Sequence, residues 1–233
     1  MQFNRAVNRL LNILEEGVYD PYIFKAIFMT GPMGAGKSTV AQKLVGGYGL
    51  RSLNLDNFNE MAIKKGQVPN GQLSNDQLQK SWELVQAQKG NFIDGRLGLL
   101  IDGSGRNLQD ISQNLTNLRN LGYDTACILV NVDVEVSIQR AQQRAAAQAQ
   151  QYGQGRNVPE ELQRSTHAAI RNNIPQLKKI FGKYFFEVDN TSQPVLTSLQ
   201  KGVNSFLRTP PSSPAAIQWI QSEKQKRNTA TVQ

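Results

Sequence analysis

Residues Lys25–Thr39 read KAIFMTGPMGAGKST. Lys25–Thr30 is a short apolar run ending at glycine, the mark of a buried strand, and Ser38–Val45 turns to a helical pattern. Between them, Gly31-Pro-Met-Gly-Ala-Gly-Lys37-Ser38 matches G-x-x-x-x-G-K-[ST], the loop that cradles phosphates. The chemistry needs these residue types. Gly31, Gly34 and Gly36 let backbone N–H groups turn inward where a Cβ would obstruct. The following helix aims its positive end at the anion, so amides from Gly34 through Ala35, Gly36, Lys37, Ser38 and Thr39 are its expected holders. Lys37 sets an ammonium against the β- and γ-phosphates, Ser38 offers a hydroxyl to Mg²⁺, and Thr39 adds a hydroxyl near the α-phosphate.

Outward from this loop the chain alternates strand-like and helix-like stretches, which predicts an α/β fold with a parallel sheet covered on both faces. Further strands are expected at Ser52–Asp56, Leu97–Asp102, Thr125–Val132 and Tyr184–Val188. Met1–Glu16 has Phe3, Val7, Leu10, Leu11 and Leu14 at helical spacing. Leu73–Gly90 reads as a helix with Leu73, Leu78, Trp82 and Val85 on its core side. Leu108–Leu121 follows, closed by Gly122. Val134–Gln151 is a helix crowded with Gln and Ala, polar enough to bridge solvent. Gln150–Asn157 is a flexible break, and Pro159 opens a long helix to about Phe181 that Pro175 should kink. After a last helix, Arg208–Pro214 (RTPPSSP) reads as a stiff linker. The expected organisation is an N-terminal helix over residues 1–20, one domain over residues 21–207, and a linker with basic tail over residues 208–233.

Composition narrows the function. The 233 residues carry 26 Lys+Arg and 18 Asp+Glu, a net charge of +8, and residues 201–233 hold 5 basic side chains against 1 acidic. Half the excess therefore sits in the tail, where a cluster attracts polyanions more than a spread charge does. Lys64–Lys65 and Lys224–Arg227 are either solvated surface or polyanion contacts. One cysteine, Cys127, cannot form an internal disulfide, and no secretory leader is visible, so a reducing cytoplasmic setting is expected. No apolar run approaches ~20 residues, so no membrane helix is expected. Sparse Cys and His exclude a Cys/His zinc cage.

The phosphate acceptor must be served by acids at neighbouring strand ends. Asp102 closes LGLLID beside the expected metal, and Asp56 closes SLNLD where it can act as general base. The alternative for each is a helix N-cap, and for Asp56 a plain turn with Asn57 and Asn59. Arg140 and Arg144 lie one helical turn apart and Arg156 lies in the break beyond, the pattern of a closing lid whose guanidinium forks stabilise phosphoryl charge. His167 reads as a packed or half-exposed helical residue and Cys127 as a small buried apolar group, neither of them a catalyst, and Trp82 reads as core. Trp219, in PAAIQWIQ, docks either on the body or on a partner.

GPMGAGKST, LNLDNFNE, LLIDGSGRN, the arginine lid and GRNVPEE together resemble, over roughly residues 24–190, the zeta-toxin-like branch of P-loop kinases, which is related to polynucleotide kinases. VYDPYIFKAIFMTGPMGAGKS, GRLGLLIDGSGRN and PAAIQWIQ are similar to zeta-toxin-domain kinases of large tailed phages. The resemblance implies a P-loop NTPase α/β/α sandwich with five parallel strands in the order 2-3-1-4-5 and a helical lid at about residues 139–158. It also implies ATP or GTP with Mg²⁺, held by Ser38 and Asp102, and transfer of the γ-phosphoryl group to a hydroxyl. By motif, Lys37, Asp56, Arg144 and Arg156 are catalytic, and Asp102, Ser104 and Arg106 match the acceptor-binding turn E-G-T-G-R. Asp for Glu at position 102 and Ser for Thr at position 104 reshape that turn. The expected acceptor is a nucleic-acid or nucleotide hydroxyl, such as a 5′-OH or a hydroxymethylated pyrimidine in DNA, with nucleic acid bound through the tail. The alternatives are the zeta-toxin acceptor UDP-N-acetylglucosamine and an NTP-binding interaction module without kinase activity. The sequence names no antitoxin-like partner.

Overall fold

The computed structural model describes residues 17–67, 74–194 and 196–230. The order is β1 (Lys25–Thr30), α1 (Lys37–Val45), β2 (Arg51–Leu53), α2 (Asp56–Lys64), α3 (Asn75–Asp94), β3 (Leu99–Asp102), α4 (Leu108–Asn120), β4 (Asp124–Asn131), α5 (Val134–Tyr152), α6 (Glu160–Phe181), β5 (Phe185–Asp189), α7 (Thr197–Arg208) and α8 (Pro214–Ala230). The expected helix at Met1–Glu16 and the core position given to Leu73 lie outside the described residues.

The strands form one sheet in the order β2-β3-β1-β4-β5, every pair parallel. β1 is central, and all six of its residues are buried. A strand covered on both faces cannot alternate apolar with polar, which is why KAIFMT reads as a continuous run. Val40 and Leu44 of α1 pack with Val203 and Phe206 of α7 against one face. Ile111, Leu115 and Leu118 of α4 pack with Leu177 and Phe181 of α6 against the other. The charged member of β1, Lys25, is 2% exposed; its ammonium donates to Asp124, its register partner on β4, at 2.6 Å. Because the strands are parallel, the segments leaving their C-terminal ends gather along one edge, where ligands of such sheets bind.

Two local expectations need correction. Asp56 does not end a strand: β2 stops at Leu53, and Asp56 opens α2, a helix that the asparagines at 57 and 59 disguise as a turn. On α3, Leu78 and Trp82 are 40% and 52% exposed, while Val85, Phe92 and Ile93 pack on the core. Pro159 stands at the N-terminus of α6, as expected, as its N-cap, and α6 continues past Pro175 to Phe181. Of the two docking places open to Trp219, the structure shows the body. Residues 214–230 form α8, where Ala216 is fully buried and the Trp219 ring meets Phe24 edge-on at 5.5 Å. Among the described residues, no helix is long and apolar enough to cross a membrane.

Candidate active site

The chain leaves β1 into the glycine loop, which feeds the N-terminus of α1. Gly34 and Gly36 have φ of +74° and +81°, a region that L side chains rarely adopt. Close packing also acts from outside the loop: a Cβ on Gly34 would strike the Ser137 carbonyl of α5, and one on Gly36 the Asn190 side-chain amide beyond β5. The Lys37 ammonium folds back onto the loop, donating to the carbonyls of Gly31 at 2.9 Å and Pro32 at 3.2 Å. Burial lowers its pKa; Asp102 and Asp56 oppose that shift, whereas Arg144 and Arg156 add to it.

A cavity of about 760 Å³ opens over this loop, lined among others by Gly34, Gly36, Lys37, Ser38, Asp56, Asp102, Ser104, Arg106, Arg144 and Arg156. Residues from the ends of β1, β2 and β3 and from α5 and the segment after it thus meet in one place. Gly31, Ala35 and Thr39 stand outside its lining. The Gly31 amide donates to the Ser104 carbonyl beyond β3 at 3.1 Å and the Ala35 amide to the Pro32 carbonyl within the loop at 3.3 Å, so both amides are already engaged. Thr39 is exposed on α1.

The three sheet-end segments are tied together. Asn54 Nδ2 donates to Asp102 Oδ2 at 2.8 Å, while Asp102 Oδ1 is buried with no partner. Burial raises the Asp102 pKa, Asp56 raises it further, and Lys37 with the Gly103 amide opposes the shift. An orphaned carboxylate oxygen lining the same cavity as the Ser38 hydroxyl suits a hard divalent cation, which takes oxygen ligands. Asn173 Nδ2 donates to the carbonyls of Gly105 at 3.0 Å and Arg106 at 2.9 Å, which fixes the turn that carries Ser104 and Arg106.

Across the cavity, Arg156 Nη1 lies 2.5 Å from Asp56 Oδ1. Desolvation raises the Asp56 pKa, but the Arg156 charge and hydrogen bond, aided by Lys37 and Asn59, outweigh it and hold the carboxyl below the usual carboxylate range. Asn59 Nδ2 also reaches Oδ1, at 3.2 Å, so both donors converge on one oxygen. Gln154 donates to the Ile63 carbonyl at 3.1 Å and the Arg156 amide to Gln148 Oε1 at 3.2 Å. The segment after α5 is therefore clasped onto α2 rather than loose. Arg144 lines the cavity with no hydrogen bond or ion pair among the described residues. Arg140 differs from the expected lid arginine: its guanidinium donates to the backbone carbonyls of Asn190 at 2.7 Å and Thr191 at 3.2 Å.

The sequence missed Asn54, Gln163 and Thr166 in the lining. Asn54, at the polar position of the L-N-L alternation, carried the one available signal; the two on α6 carried none. His167 is half-buried and Cys127 fully buried, within what the sequence predicts. His167 Nε2 bonds Ser137 Oγ at 2.8 Å, and burial pushes the Cys127 thiol to about 12.

A lysine and a cluster of arginines facing a depressed carboxylate across a glycine loop can neutralise a polyphosphate and keep a base ionised beside it. No curated protein matches the chain in sequence. Solved structures share the fold. A chain of the PezAT chromosomal toxin–antitoxin system of Streptococcus pneumoniae aligns with a TM-score of 0.60 at 20% identity, over 97% of this chain and 95% of that one. A candidate kinase from Chloroflexus aurantiacus aligns at 0.59 and 19%, over 78% and 97%. The AvrRxo1-ORF1:-ORF2 complex with ATP aligns at 0.56 and 14%, over 89% and 72%. The zeta toxin family model matches residues 23–190, which contain every residue of the cavity described above, and the chain belongs to that family.

Proposed function

We propose that this protein is a Mg²⁺- and nucleotide-dependent kinase that transfers the γ-phosphoryl group of ATP or GTP to a hydroxyl. The carrying observation is the convergence of Lys37, Asp56, Asp102, Arg144 and Arg156 on one cavity over the glycine loop. ATP in the AvrRxo1 complex, a protein of like fold, supports the choice of nucleotide.

In this proposal the amides of Gly34, Gly36, Lys37 and Ser38 hold the β- and γ-phosphates, and the Lys37 ammonium leaves the Gly31 and Pro32 carbonyls for phosphate oxygens. Ser38 and Asp102 would hold Mg²⁺, whose contribution when bound is to neutralise phosphate charge. Arg156 and Asn59 occupy Asp56 Oδ1, so Oδ2 is the oxygen left to meet the acceptor. The acceptor O–H passes its proton to Oδ2 as its oxygen bonds to the γ-phosphorus, and the bond to the bridging oxygen breaks, releasing the nucleoside diphosphate. Arg144 and Arg156 neutralise the charge spread over the transferring group. Ser104 and Arg106 orient the acceptor.

The acceptor proposed is a phosphate-bearing nucleotide or nucleotide sugar. Besides Arg140, which is held by the Asn190 and Thr191 carbonyls, four cations line the cavity (Lys37, Arg106, Arg144 and Arg156) against three acids (Asp56, Glu60 and Asp102), an arrangement that suits anionic substrates. The resemblance to phage kinases supports an acceptor of nucleotide type. A polymeric nucleic acid has less support, because it rested on the charge of the tail, and α8 docks at the start of β1, away from the site. A cytoplasmic setting belongs to the same proposal. The test is γ-labelled ATP incubated with UDP-N-acetylglucosamine, free nucleotides, 5′-OH oligonucleotides and hydroxymethylated DNA. Label on a small nucleotide species is expected; label on DNA alone would reverse the choice of acceptor, and label on none would refute the kinase.

A further inference from the structure

The glycine loop offers amides to phosphate only if its peptide planes face the right way, and two side chains outside the loop hold those planes. The Ser137 hydroxyl of α5 donates to the Met33 carbonyl. Asn190 Nδ2, just past β5, donates to the Ala35 carbonyl at 2.6 Å. In a trans peptide the C=O and the following N–H point in opposite directions. A strut that draws the Met33 carbonyl outward therefore aims the Gly34 N–H inward, and one that draws the Ala35 carbonyl outward aims the Gly36 N–H inward. Gly34 and Gly36 are also the two loop residues whose Cβ atoms would collide with Ser137 and Asn190. The glycines give the struts room to reach the carbonyls.

Each strut has its own backing. Ser137 is fully buried, and because its proton goes to a carbonyl, which can only accept, its oxygen accepts from His167 Nε2–H at 2.8 Å. His167 must then keep its proton on Nε2, and only Nδ1 titrates. The backbone of Asn190 is pinned by Arg140, which donates to the Asn190 and Thr191 carbonyls, and its amide donates to the Asn131 carbonyl at 2.8 Å.

We propose that Ser137 and Asn190, backed by His167 and Arg140, are positioning residues that orient the Gly34 and Gly36 amides for the phosphates of the nucleotide. The proposal rests on the loop being the nucleotide site. It assigns Arg140 to the frame of the site rather than to the phosphates, and it gives His167 a task other than catalysis.

The test is calorimetric binding of ATP and of inorganic tripolyphosphate to the full chain and to Ser137→Ala, Asn190→Leu and the double variant, with unliganded melting temperatures measured alongside. Tripolyphosphate has no base or ribose, so it reports on the cradle alone. Each single variant should weaken both ligands by about fivefold to tenfold, the worth of an oriented hydrogen bond. A merely structural role would lower the melting temperature and leave the affinity of the folded fraction unchanged, and that result overturns the proposal. Ser137→Cys, which keeps shape and a weak donor, should fall between wild type and Ser137→Ala for both ligands; an affinity no better than that of Ser137→Ala also counts against it. If the wild-type chain binds neither ligand, the loop's assignment fails, an outcome distinct from variants that bind as wild type does.

Discussion

Asp56 is held by opposed forces. Desolvation would keep its carboxyl protonated, and Arg156 at 2.5 Å reverses that preference. Arg156→Gln removes the winning side. The Asp56 pKa should then rise above its present depressed value, read as a shifted titration of its side-chain carbon by NMR. The sign for stability follows. A depressed folded-state pKa gives stability that is present at neutral pH and lost as pH falls through that value, so the variant should start less stable at neutral pH and lose less of its stability on acidification. Asp56→Asn keeps the shape and removes the base: nucleotide affinity should stay near wild type while transfer falls about 10²–10⁴-fold, and normal transfer would remove Asp56 from the chemistry. Lys37→Ala should cut transfer by at least about 10²–10³-fold through lost charge stabilisation of the transition state. That Lys37 and Asp102 would share a cavity was legible because a glycine loop with a lysine and an acid closing a neighbouring strand have few other reasons to occur at such spacings, whereas Asp56 reaches the same cavity from the start of α2 and not from a strand end. The partnership of Arg156 with Asp56, a hundred positions apart, was not, since the closure of a segment onto a distant helix leaves no local periodicity.

The two tryptophans show what periodicity can and cannot tell at the scale of elements. Trp82 and Leu78 fall at helical spacing with Val85, which predicts a shared core face, yet the apolar arc of α3 is wider than the surface it meets. Val85, Phe92 and Ile93 take the contact, and Trp82 is left 52% exposed. Trp219, in a tail marked by proline and charge, sits instead against Phe24 with Ile220 beside the same cluster. Trp219→Ala should cost about 2 kcal/mol in denaturant unfolding, less than the ~3–5 of a fully buried ring, and Trp82→Ala within about 0.5 kcal/mol. Equal losses would mean that the two helices are equally docked. The strands were read to within a residue or three because continuous burial leaves unbroken apolar runs. α2 was not read, because asparagines that favour turns sit in its first turn, while the buried Asn59 and Ile63 and the pairing of Asp56 with Arg156 hold it against α5 and the segment that follows it.

Across the whole molecule, the parallel sheet separates two sets of cations. One set lines the cavity at the C-terminal ends of the strands. The other, with Lys224, Lys226 and Arg227, rides on α8, which meets Phe24 and Gly122 ahead of β1 and β4 and, just before its start, has Ser212 donating to Asp124 at 3.0 Å. Six residues of β1 at ~3.3 Å each set these ends about 20 Å apart. The Debye length at physiological salt is only ~8 Å, so charge on α8 contributes little to the potential that a substrate meets in the cavity. Within the net charge of +8, these are two separate local excesses with separate consequences. Lys224→Gln with Lys226→Gln should leave the KM for a small anionic acceptor within about twofold of wild type at 0.15 M salt. The same pair should weaken any duplex DNA binding and flatten its salt dependence, by about one unit of slope for each phosphate that is no longer neutralised. If instead the acceptor KM rose several-fold in step with weakened DNA affinity, the acceptor would have to span both ends of the sheet, as only a polymer can.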